Sequence, residues 1–378
     1  MIRRDARLAA VAITWVLYAL FLFAYLRSHH TGIAGLVRLG SRFVVQADSV
    51  PPGVPILPNH GGYDGQFYYR LALTPFTRTQ TAAGIRLDSP AYRQQRILYP
   101  LLARALAWGR AAWIPFTLAL LNFVLLGVLA FFGAQLATAA GRHALWGLVF
   151  PLSVPLLYTM SRDLTEILET TLIAAVLLLR GRHRGAAGLL LALAVLARET
   201  ALLVAVAIAL VTLIEERGQL RRAVARAWPE VLPAILVYVV WQSWLWSVWG
   251  TTGSMQGAGA TLGLPLAGLL GELTHARPDH LLEIGYILLF SVAVGLSLRG
   301  AKGSLLPKVT WALYAALLSL TTVIVWDGSA GFFRAFSEAY LFGTILLLSS
   351  RTRPASWMLW SGVCTWVIMA AGLVLIVR

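Results

Sequence analysis

The chain alternates between long apolar runs and short polar stretches that are rich in arginine. A helix needs about 20 mostly apolar residues to cross a bilayer, and fewer where it is broken or enclosed by protein. The pattern therefore predicts an all-α polytopic membrane protein in which residues 1–378 form one integral membrane domain. The continuous candidate spans are residues 8–26, 113–137, 144–160, 164–180, 228–249, 281–299, 308–326, 333–349 and 355–377.

Residues 185–214 are also apolar, but they do not fit a single span. Arginine clusters flank both ends of this segment, so both ends are expected on the cytoplasmic side. We predict a broken or re-entrant hairpin of two short helices, 185–197 and 201–214, joined near Arg198. With this hairpin the chain has about 10–11 transmembrane segments, with the N-terminus inside and the C-terminus outside.

The composition agrees with a membrane protein. Hydrophobic residues make up 58% of the 378 positions and charged residues 12%, against about 45–50% and about 25% in soluble domains. The one cysteine, Cys364, excludes a disulfide scaffold. No small-residue cleavage site follows the first apolar run, so we predict a retained N-terminal membrane segment. The excess of Arg over Lys and the many alanines are typical of GC-rich bacterial genomes, which predicts a bacterial plasma membrane.

The net charge of +15 mainly reports topology. The predicted topology puts 16 of the 31 Lys and Arg residues and four of the 16 Asp and Glu residues on the cytoplasmic side. The net charge is then about +12 inside and about +3 outside. A nucleic-acid partner is therefore not expected, whereas a lipid bilayer is.

Residues 27–112 are predicted to form a long first extracytoplasmic loop with ten Arg and no Lys. It contains the sequence Gly-Gly-Tyr-Asp-Gly-Gln-Phe-Tyr-Tyr-Arg at 61–70. Gly65 allows a tight turn after Asp64, and the apolar positions that follow predict a short amphipathic helix on the membrane surface. A second amphipathic stretch is predicted at 93–106. The alternative is a headgroup-binding loop in which Asp64 only caps a helix.

The Tyr-Asp-Gly-Gln-Phe-Tyr-Tyr motif at 63–69, followed by Arg-Ile-Leu-Tyr-Pro-Leu-Leu at 96–102, resembles the polytopic GT-C glycosyltransferases, in particular the PIG-V-like mannosyltransferases and their bacterial relatives. The resemblance implies a polyprenyl-phosphate sugar donor, an acceptor presented outside, and inversion at the anomeric carbon. In such enzymes the loop aspartate acts on the acceptor hydroxyl, and here that role falls on Asp64. The Gly-Gln after this aspartate departs from eukaryotic members. The sugar, with mannose as one candidate, and the acceptor, a glycan, lipid or protein, therefore stay open.

These residue types suit glycosyl transfer. A sugar hydroxyl is a poor nucleophile, and the carboxylate of Asp64 is predicted to take its proton as it attacks. The lipid phosphate leaves as an anion, which Arg93 or Arg96 can bind. Tyr63 and Gln66, which lie beside the aspartate in the motif, are predicted to contact substrate. The sequence contains no glycine-rich nucleotide-binding motif.

Ionisable residues within predicted spans are costly and indicate function. Arg198 and Glu199, at the predicted hairpin tip, are assigned to the lipid-phosphate or donor pocket. The alternative is a mutually paired, structural role. Arg334 and Glu338 are four residues apart, so Arg334 either contacts substrate or forms a helix salt bridge.

Three acids open the predicted helix 164–180. Asp163 followed by Glu166 is typical of a capping box, in which acids stabilise the start of a helix. Glu169 lies deeper in the span. A second acid near Asp64 would steer the acceptor or hold a divalent cation, which is the one candidate cofactor.

Residues 250–280 are predicted to form a second extracytoplasmic loop. The loop begins with a glycine-rich run, which predicts a mobile lid or a re-entrant segment. Its titratable residues match no metal signature, and a solvated loop is favoured over a metal site. These residues are Glu272, His275, Asp279, His280 and Glu283.

The rival function is a lipid-linked saccharide flippase or a small-solute transporter. Transporters also use broken helices with charges at membrane depth. Against this, the long arginine-rich loop occurs once and the break near Arg198 has no counterpart in the second half of the chain. A polysaccharide polymerase or ligase is expected to carry its large loop late in the chain. The pattern therefore favours a glycosyltransferase.

Overall fold

The computed structural model describes residues 2–275, 277–301, 303–350 and 352–376. Lys302, Arg351 and residue 377, which enter the sequence predictions, lie outside them. The protein is 74% helical, which confirms the all-α class. The helices are α1 (Ile2–Ser28), α2 (Gly65–Leu73), α3 (Pro90–Gln94), α4 (Leu98–Leu106), α5 (Ile114–Ala139), α6 (Val154–Met160), α7 (Glu166–Leu179), α8 (Arg184–Ala197), α9 (Leu202–Glu215), α10 (Leu220–Trp249), α11 (Gly253–Thr261), α12 (Ala267–Leu273), α13 (Pro278–Ser297), α14 (Leu306–Ser319), α15 (Val323–Trp326), α16 (Ser329–Ala335), α17 (Ser337–Ser349) and α18 (Arg353–Leu375).

The short strands of the described chain all lie in the first loop. β1 (Leu39–Gly40) pairs in parallel with β2 (Ile56–Leu57), and β3 (Thr81–Ala82) pairs antiparallel with β4 (Ile85–Arg86). Short 3-10 helices connect several elements; they span Ile33–Val37, Ser41–Phe43, Ala47–Ser49, Ala111–Trp113, Ala144–Val149 and Glu199–Ala201.

Among the described residues, five helices are long and apolar enough to cross a membrane: α1, α5, α10, α13 and α18. The pair α16 and α17, bent by 55°, would add a sixth span. The outward faces of the five helices carry exposed apolar side chains such as Leu20, Val240, Leu289 and Ile368. Apolar surface of this extent requires lipid rather than water around it. The protein is therefore a multi-pass membrane protein with a lipid bilayer as its partner.

The remaining predicted spans are shorter or broken. Segment 144–160 consists of a 3-10 helix followed by α6, with Pro151 and Pro155 at the break. Helix α7 has 14 residues and is about 21 Å long, less than the hydrocarbon thickness. Both α6 and α7 are mostly buried in protein, which lets them end within the membrane. By length alone the described helices give five or six spans, fewer than the predicted number of segments.

Helices α8 and α9 lie within one residue of the two hairpin helices expected from the sequence. Arg198 is extended, with φ −158° and ψ 129°, and this conformation ends α8. At the open end, Arg184 lies 3.6 Å from Glu230, and Arg226 lies 3.1 Å from Glu215 at the end of α9. Because Arg226 and Glu230 are about one turn apart on α10, both open ends of the hairpin lie side by side.

Other basic residues assigned to the cytoplasmic side also meet at helix ends. Arg142 lies just beyond the end of α5. It donates hydrogen bonds to the carbonyls of Leu348 (3.2 Å) and Ser350 (2.7 Å) at the end of α17. Arg180, at the end of α7, lies 3.0 Å from Glu230. The acids and arginines of the candidate site described below lie at the opposite ends of α7, α8 and α17.

Helix α2 differs most from its prediction. Eight of its nine residues are buried, since α4 and α5 pack against it, so it does not lie on the membrane surface. Tyr68 packs with Tyr99 of α4 and Leu118 of α5 in one hydrophobic cluster. A Cβ on Gly65 would lie 2.2 Å from the carbonyl oxygen of Arg162. Gly65 is therefore required by close packing against the α6–α7 connection, which the amphipathic pattern alone did not indicate.

Candidate active site

The turn before α2 holds Asp64 in place. Gly62 has φ +69°, and a Cβ there would lie 2.4 Å from the carbonyl oxygen of Arg38. The side-chain amide of Gln66 donates to the Gly61 carbonyl (2.9 Å), and its oxygen accepts from the Gly40 backbone N–H (3.0 Å). Both polar atoms of this buried glutamine bind backbone groups. We therefore assign Gln66 to the framework of the site, while its predicted contact with substrate stays a prediction.

Two arginines bind the two oxygens of the Asp64 carboxylate. Nη1 of Arg93 lies 2.9 Å from Oδ1, and Nη1 of Arg334 lies 2.8 Å from Oδ2. Asp64 is the N-cap residue of α2, but its carboxylate makes no capping hydrogen bond, so the alternative in which it only caps the helix is wrong. Burial alone would raise the pKa of the Asp64 carboxyl, but Arg93 and Arg334 outweigh this effect and hold its pKa well below the usual range.

Arg93 has a second carboxylate partner. Its Nε and Nη2 each lie 2.8 Å from an oxygen of Asp88, in a bidentate ion pair. Its guanidinium carbon also lies 4.3 Å from the centroid of the Phe67 ring. One end of the guanidinium is thus fixed by Asp88 and Phe67, and the remaining nitrogen faces Asp64.

Helix α3, which carries Arg93, is held by α11, in the 250–280 segment, and by α10. The Tyr92 backbone N–H donates to Oε1 of Gln256 on α11 at 3.0 Å. Nε1 of Trp249 donates to Oε1 of Gln94 at 2.7 Å. The start of the 250–280 loop therefore supports an arginine of the site, whereas its motion as a lid stays a prediction.

Arg96 and Glu199 form a bidentate ion pair. Nε and Nη2 of Arg96 lie 2.9 and 2.7 Å from the two oxygens of Glu199. The Tyr92 hydroxyl accepts from Arg96 at 3.1 Å. This pair joins the first loop to the hairpin tip, 103 residues further along the chain.

Arg334 bridges two acids from distant elements. Its Nε lies 2.7 Å from Oε1 of Glu166, while its Nη1 binds Asp64. The structure has no salt bridge between Arg334 and Glu338, so that alternative is wrong. The physical reason is the break between α16 and α17, which removes the regular i, i+4 geometry.

The capping box at the start of α7 is also wrong. Thr165 is the N-cap residue, and Asp163 has a left-handed backbone with φ +50°. The buried Asp163 carboxylate has no hydrogen-bond partner in the described part of the chain. Glu166 turns toward arginines from other elements instead of the backbone of its own helix.

Arg198 lies at the centre of a buried group of carboxylates. Its Nη1 lies 3.4 Å from Glu166, 3.6 Å from Glu338 and 3.9 Å from Glu169. The Thr200 hydroxyl lies 2.6 Å from Glu338 and 3.3 Å from Glu169. The guanidinium already places a cation among the three acids, so this arrangement favours an arginine over a metal ion. Over the residues that the structure describes, no group of three or more His, Cys, Asp or Glu is placed to hold a metal.

A cavity of about 750 Å³ adjoins this network. Tyr63, the neighbour of Asp64 in sequence, lines the cavity, and its ring centroid lies 5.5 Å from the guanidinium carbon of Arg334. Arg162 lines it too, and Ile368 and Leu373 of α18 give it an apolar part. The volume falls within the range of small-molecule sites. Asp64, Arg93 and Arg334 are not among the residues that line the cavity, which meets them through Tyr63.

The titratable residues of the second loop also line this cavity. Glu272 and His280 are buried, and their Oε1 and Nδ1 atoms lie 3.3 Å apart. The interpretation as a solvated loop is therefore wrong for these two. His275 and Asp279 are exposed at the cavity, and Glu283 is partly buried there.

The structure thus joins five of the charged residues that the sequence singled out into one chain of contacts: Asp64, Arg93, Glu169, Arg198 and Arg334. Sequence reasoning did not assign two of the acids, Glu166 and Asp88, to the site. Glu166 had a signal, since it opens an apolar helix, but it was interpreted as a cap. Asp88 had no signal of a role in the site, because an aspartate before a Ser-Pro pair is typical of the start of a helix.

No protein-family model, curated protein or solved structure matches this chain. The features of this chain that bear on function are the geometry of Asp64 and its arginines, the adjoining cavity and the motif in the first loop.

Proposed function

We propose that the protein is an inverting GT-C-type glycosyltransferase that moves a hexose from a polyprenyl-phosphate donor to an acceptor. The main support is the position of Asp64. Its side chain is 20% exposed, it contacts Arg93 and Arg334, and its neighbour Tyr63 lines a cavity with the volume of a small-molecule site. A carboxylate beside two cations supplies the two groups that transfer from a phosphate requires, a base and an anion site.

In the proposed reaction the acceptor hydroxyl oxygen forms a bond to the anomeric carbon as the bond from that carbon to the phosphate oxygen breaks. Asp64 takes the hydroxyl proton, and the phosphate leaves with the bonding electron pair. Arg93 and Arg334 neutralise the charge that develops on it. A single displacement at the anomeric carbon inverts its configuration.

The contacts distinguish the arginines. Nε and Nη2 of Arg96 both bind Glu199, and the guanidinium of Arg198 is surrounded by three carboxylates. Binding phosphate would require Arg198 to leave buried carboxylates unpaired, which is costly, and would require Arg96 to break its bidentate pair with Glu199. We therefore assign phosphate binding to Arg93 and Arg334, and positioning of the hairpin tip to Arg96 and Arg198.

The finer features of the proposal come from the sequence. They are 10–11 membrane segments, a bacterial plasma membrane, a site that faces away from the cytoplasm, and mannose as the candidate sugar. The separation of the basic clusters from the Asp64 network along α7, α8 and α17 supports this orientation, because basic loops favour the cytoplasmic side. The acceptor is a glycan, a lipid or a protein.

Replacement of Asp64 tests the mechanism. In purified protein supplied with polyprenyl-phosphate hexoses, mannose first, Asp64→Ala should lower transfer about 10²- to 10⁴-fold, since a general base is lost. Release of polyprenyl phosphate measures transfer, and size-exclusion chromatography checks folding. Asp48→Ala, at an exposed aspartate in the same loop, should retain the wild-type rate. Wild-type turnover by Asp64→Ala would contradict the mechanism.

A flippase or transporter is the second candidate. The observation in its favour is that broken helices meet at the charged network, at Arg198 and between α16 and α17. Reconstituted vesicles separate the two functions. A transporter would move lipid-linked saccharide across the bilayer without releasing polyprenyl phosphate, and such movement by Asp64→Ala protein would favour this candidate.

A further inference from the structure

The Asp64 carboxylate occupies a position that two arginines build for an anion. Each arginine has a second carboxylate partner, Asp88 for Arg93 and Glu166 for Arg334. These second ion pairs do not depend on Asp64. Both Nη1 donors would therefore stay directed at the same position if the Asp64 side chain rotated away.

A phosphoryl group can take the same position as the carboxylate, whose two oxygens each accept from one arginine. Its oxygens are arranged around a tetrahedral centre, so different oxygens accept from the two guanidinium groups at once. The side chains of Asp64 and Arg93 are 20% and 14% exposed, so a ligand reaches them without opening the fold. By contrast, Glu166 is fully buried, which keeps Arg334 in place during such an exchange.

We propose that phosphoryl oxygens of the substrate displace the Asp64 carboxylate from Arg93 and Arg334, so that phosphate binding releases the group that then takes the acceptor proton. The catalytic half of this inference rests on the proposed function, whereas the exchange itself is a binding event. The exchange requires the phosphate-bearing donor to bind before the acceptor.

The exchange resolves a conflict within the site. A general base works best when its pKa lies near the working pH, but a carboxylate held by two guanidinium groups has little tendency to accept a proton. Once phosphate neutralises both arginines, the Asp64 carboxylate loses the contacts that suppress its basicity. The same two arginines thus bind the leaving phosphate and determine when Asp64 can act as a base.

Binding to purified full-length protein in detergent tests the exchange. The probes are inorganic phosphate and a polyprenyl phosphate, with the neutral polyprenol as a control, and calorimetry measures the affinity. Asp64→Asn removes the resident anion and should bind phosphate about tenfold more tightly than wild type. Weaker or unchanged binding by this variant overturns the proposal.

Asp88→Asn is the matched control. It removes a negative charge 2.8 Å from Arg93, against 2.9 Å for Asp64, but the lost carboxylate does not occupy the proposed phosphate position. The exchange predicts that Asp88→Asn binds phosphate no more tightly than wild type, because Arg93 loses its support. An equal gain in both variants identifies a general charge effect and overturns the proposal.

The two phosphate probes distinguish the source of the ligand. A similar gain with both assigns the position to any phosphoryl group, and a gain with polyprenyl phosphate alone assigns it to the lipid; both results support the exchange. Should Asp64→Asn not fold, Arg93→Gln serves instead, with the exposed Arg78→Gln as its control. Arg93→Gln should bind phosphate about tenfold more weakly, and equal affinity overturns the proposal. Because the readout is binding, the exchange survives a negative result for glycosyl transfer.

Discussion

The ion-pair network has two halves that use the same chemistry in different environments. In the outer half, Asp64, Arg93 and Asp88, side-chain exposure ranges from 14% to 31%. The inner half consists of Arg198 with the three glutamates around it, and no member is more than 8% exposed. Arg334 connects the halves, because it binds Asp64 on one side and Glu166 on the other.

The difference in exposure determines what each half can do. Removing one partner of a buried pair leaves a charge without solvent, which costs several kcal/mol. The inner half therefore acts as a fixed support for the hairpin tip. In the outer half, water or a ligand can compensate a broken contact, so partners can be exchanged. The inner half is thus fixed, whereas the contacts of the outer half are open to exchange.

The largest expected effect is on the inner half. Arg198→Met leaves three glutamates without their shared cation and should lower the free energy of unfolding by about 3–5 kcal/mol. Thermal unfolding in detergent, followed by tryptophan fluorescence, measures the change. Arg226→Met is the matched control, because Arg226 pairs with two glutamates at the other end of the molecule but is 42% exposed. Its shift should be much smaller, and equal shifts would remove the distinction between buried and exposed pairs.

A smaller effect is expected from the hydroxyl that connects the inner glutamates. Thr200→Val keeps the shape of the side chain but removes the group that lies 2.6 Å from Glu338 and 3.3 Å from Glu169. The loss should be about 1–3 kcal/mol, since it leaves buried acceptors unsatisfied. Thr365→Val, whose hydroxyl binds only a carbonyl of its own helix, is the control and should change stability little. A neutral Thr200→Val would show that the inner carboxylates find other partners.

The smallest effect concerns pH and the outer half. Arg93, Arg334 and, at longer range, Arg96 lower the pKa of Asp64 below its value in the unfolded chain, about 3.9. The pairing therefore contributes stability above that value, and the contribution is lost as the pH falls through the lowered pKa. The difference in unfolding temperature between wild type and Asp64→Asn should thus stay constant from about pH 5 to about pH 8 and shrink below about pH 4. A difference that already shrinks near pH 6 contradicts these contacts.

Several elements were predictable because they depend on local patterns. Long apolar runs produced α1, α5, α10, α13 and α18, since lipid selects helices of sufficient length. The break at Arg198 was predictable from charges inside an apolar segment. The motif singled out Asp64, and the structure places it between Arg93 and Arg334. In each case a short stretch of sequence contained the physical cause.

Other features were not predictable, because their cause lies in distant segments. Helix α2 has an amphipathic pattern, but α4 and α5 cover it, so it is buried. Glu166 has the sequence position of a helix cap, but two arginines from elsewhere draw its carboxylate away from the backbone. The sequence of α2 does not reveal that α4 and α5 cover it. The sequence around Glu166 does not reveal the arginines that bind it.

The sequence alone thus determined the class of protein, the approximate helices and the set of charged residues, because partition between water and lipid acts on each segment separately. Only the tertiary structure decided which charges meet. Asp64 and Arg334 are 270 residues apart, and Arg96 and Glu199 are 103 apart. An ion pair over such a separation depends on how several helices pack, and burial then decides whether its partners are fixed or exchangeable.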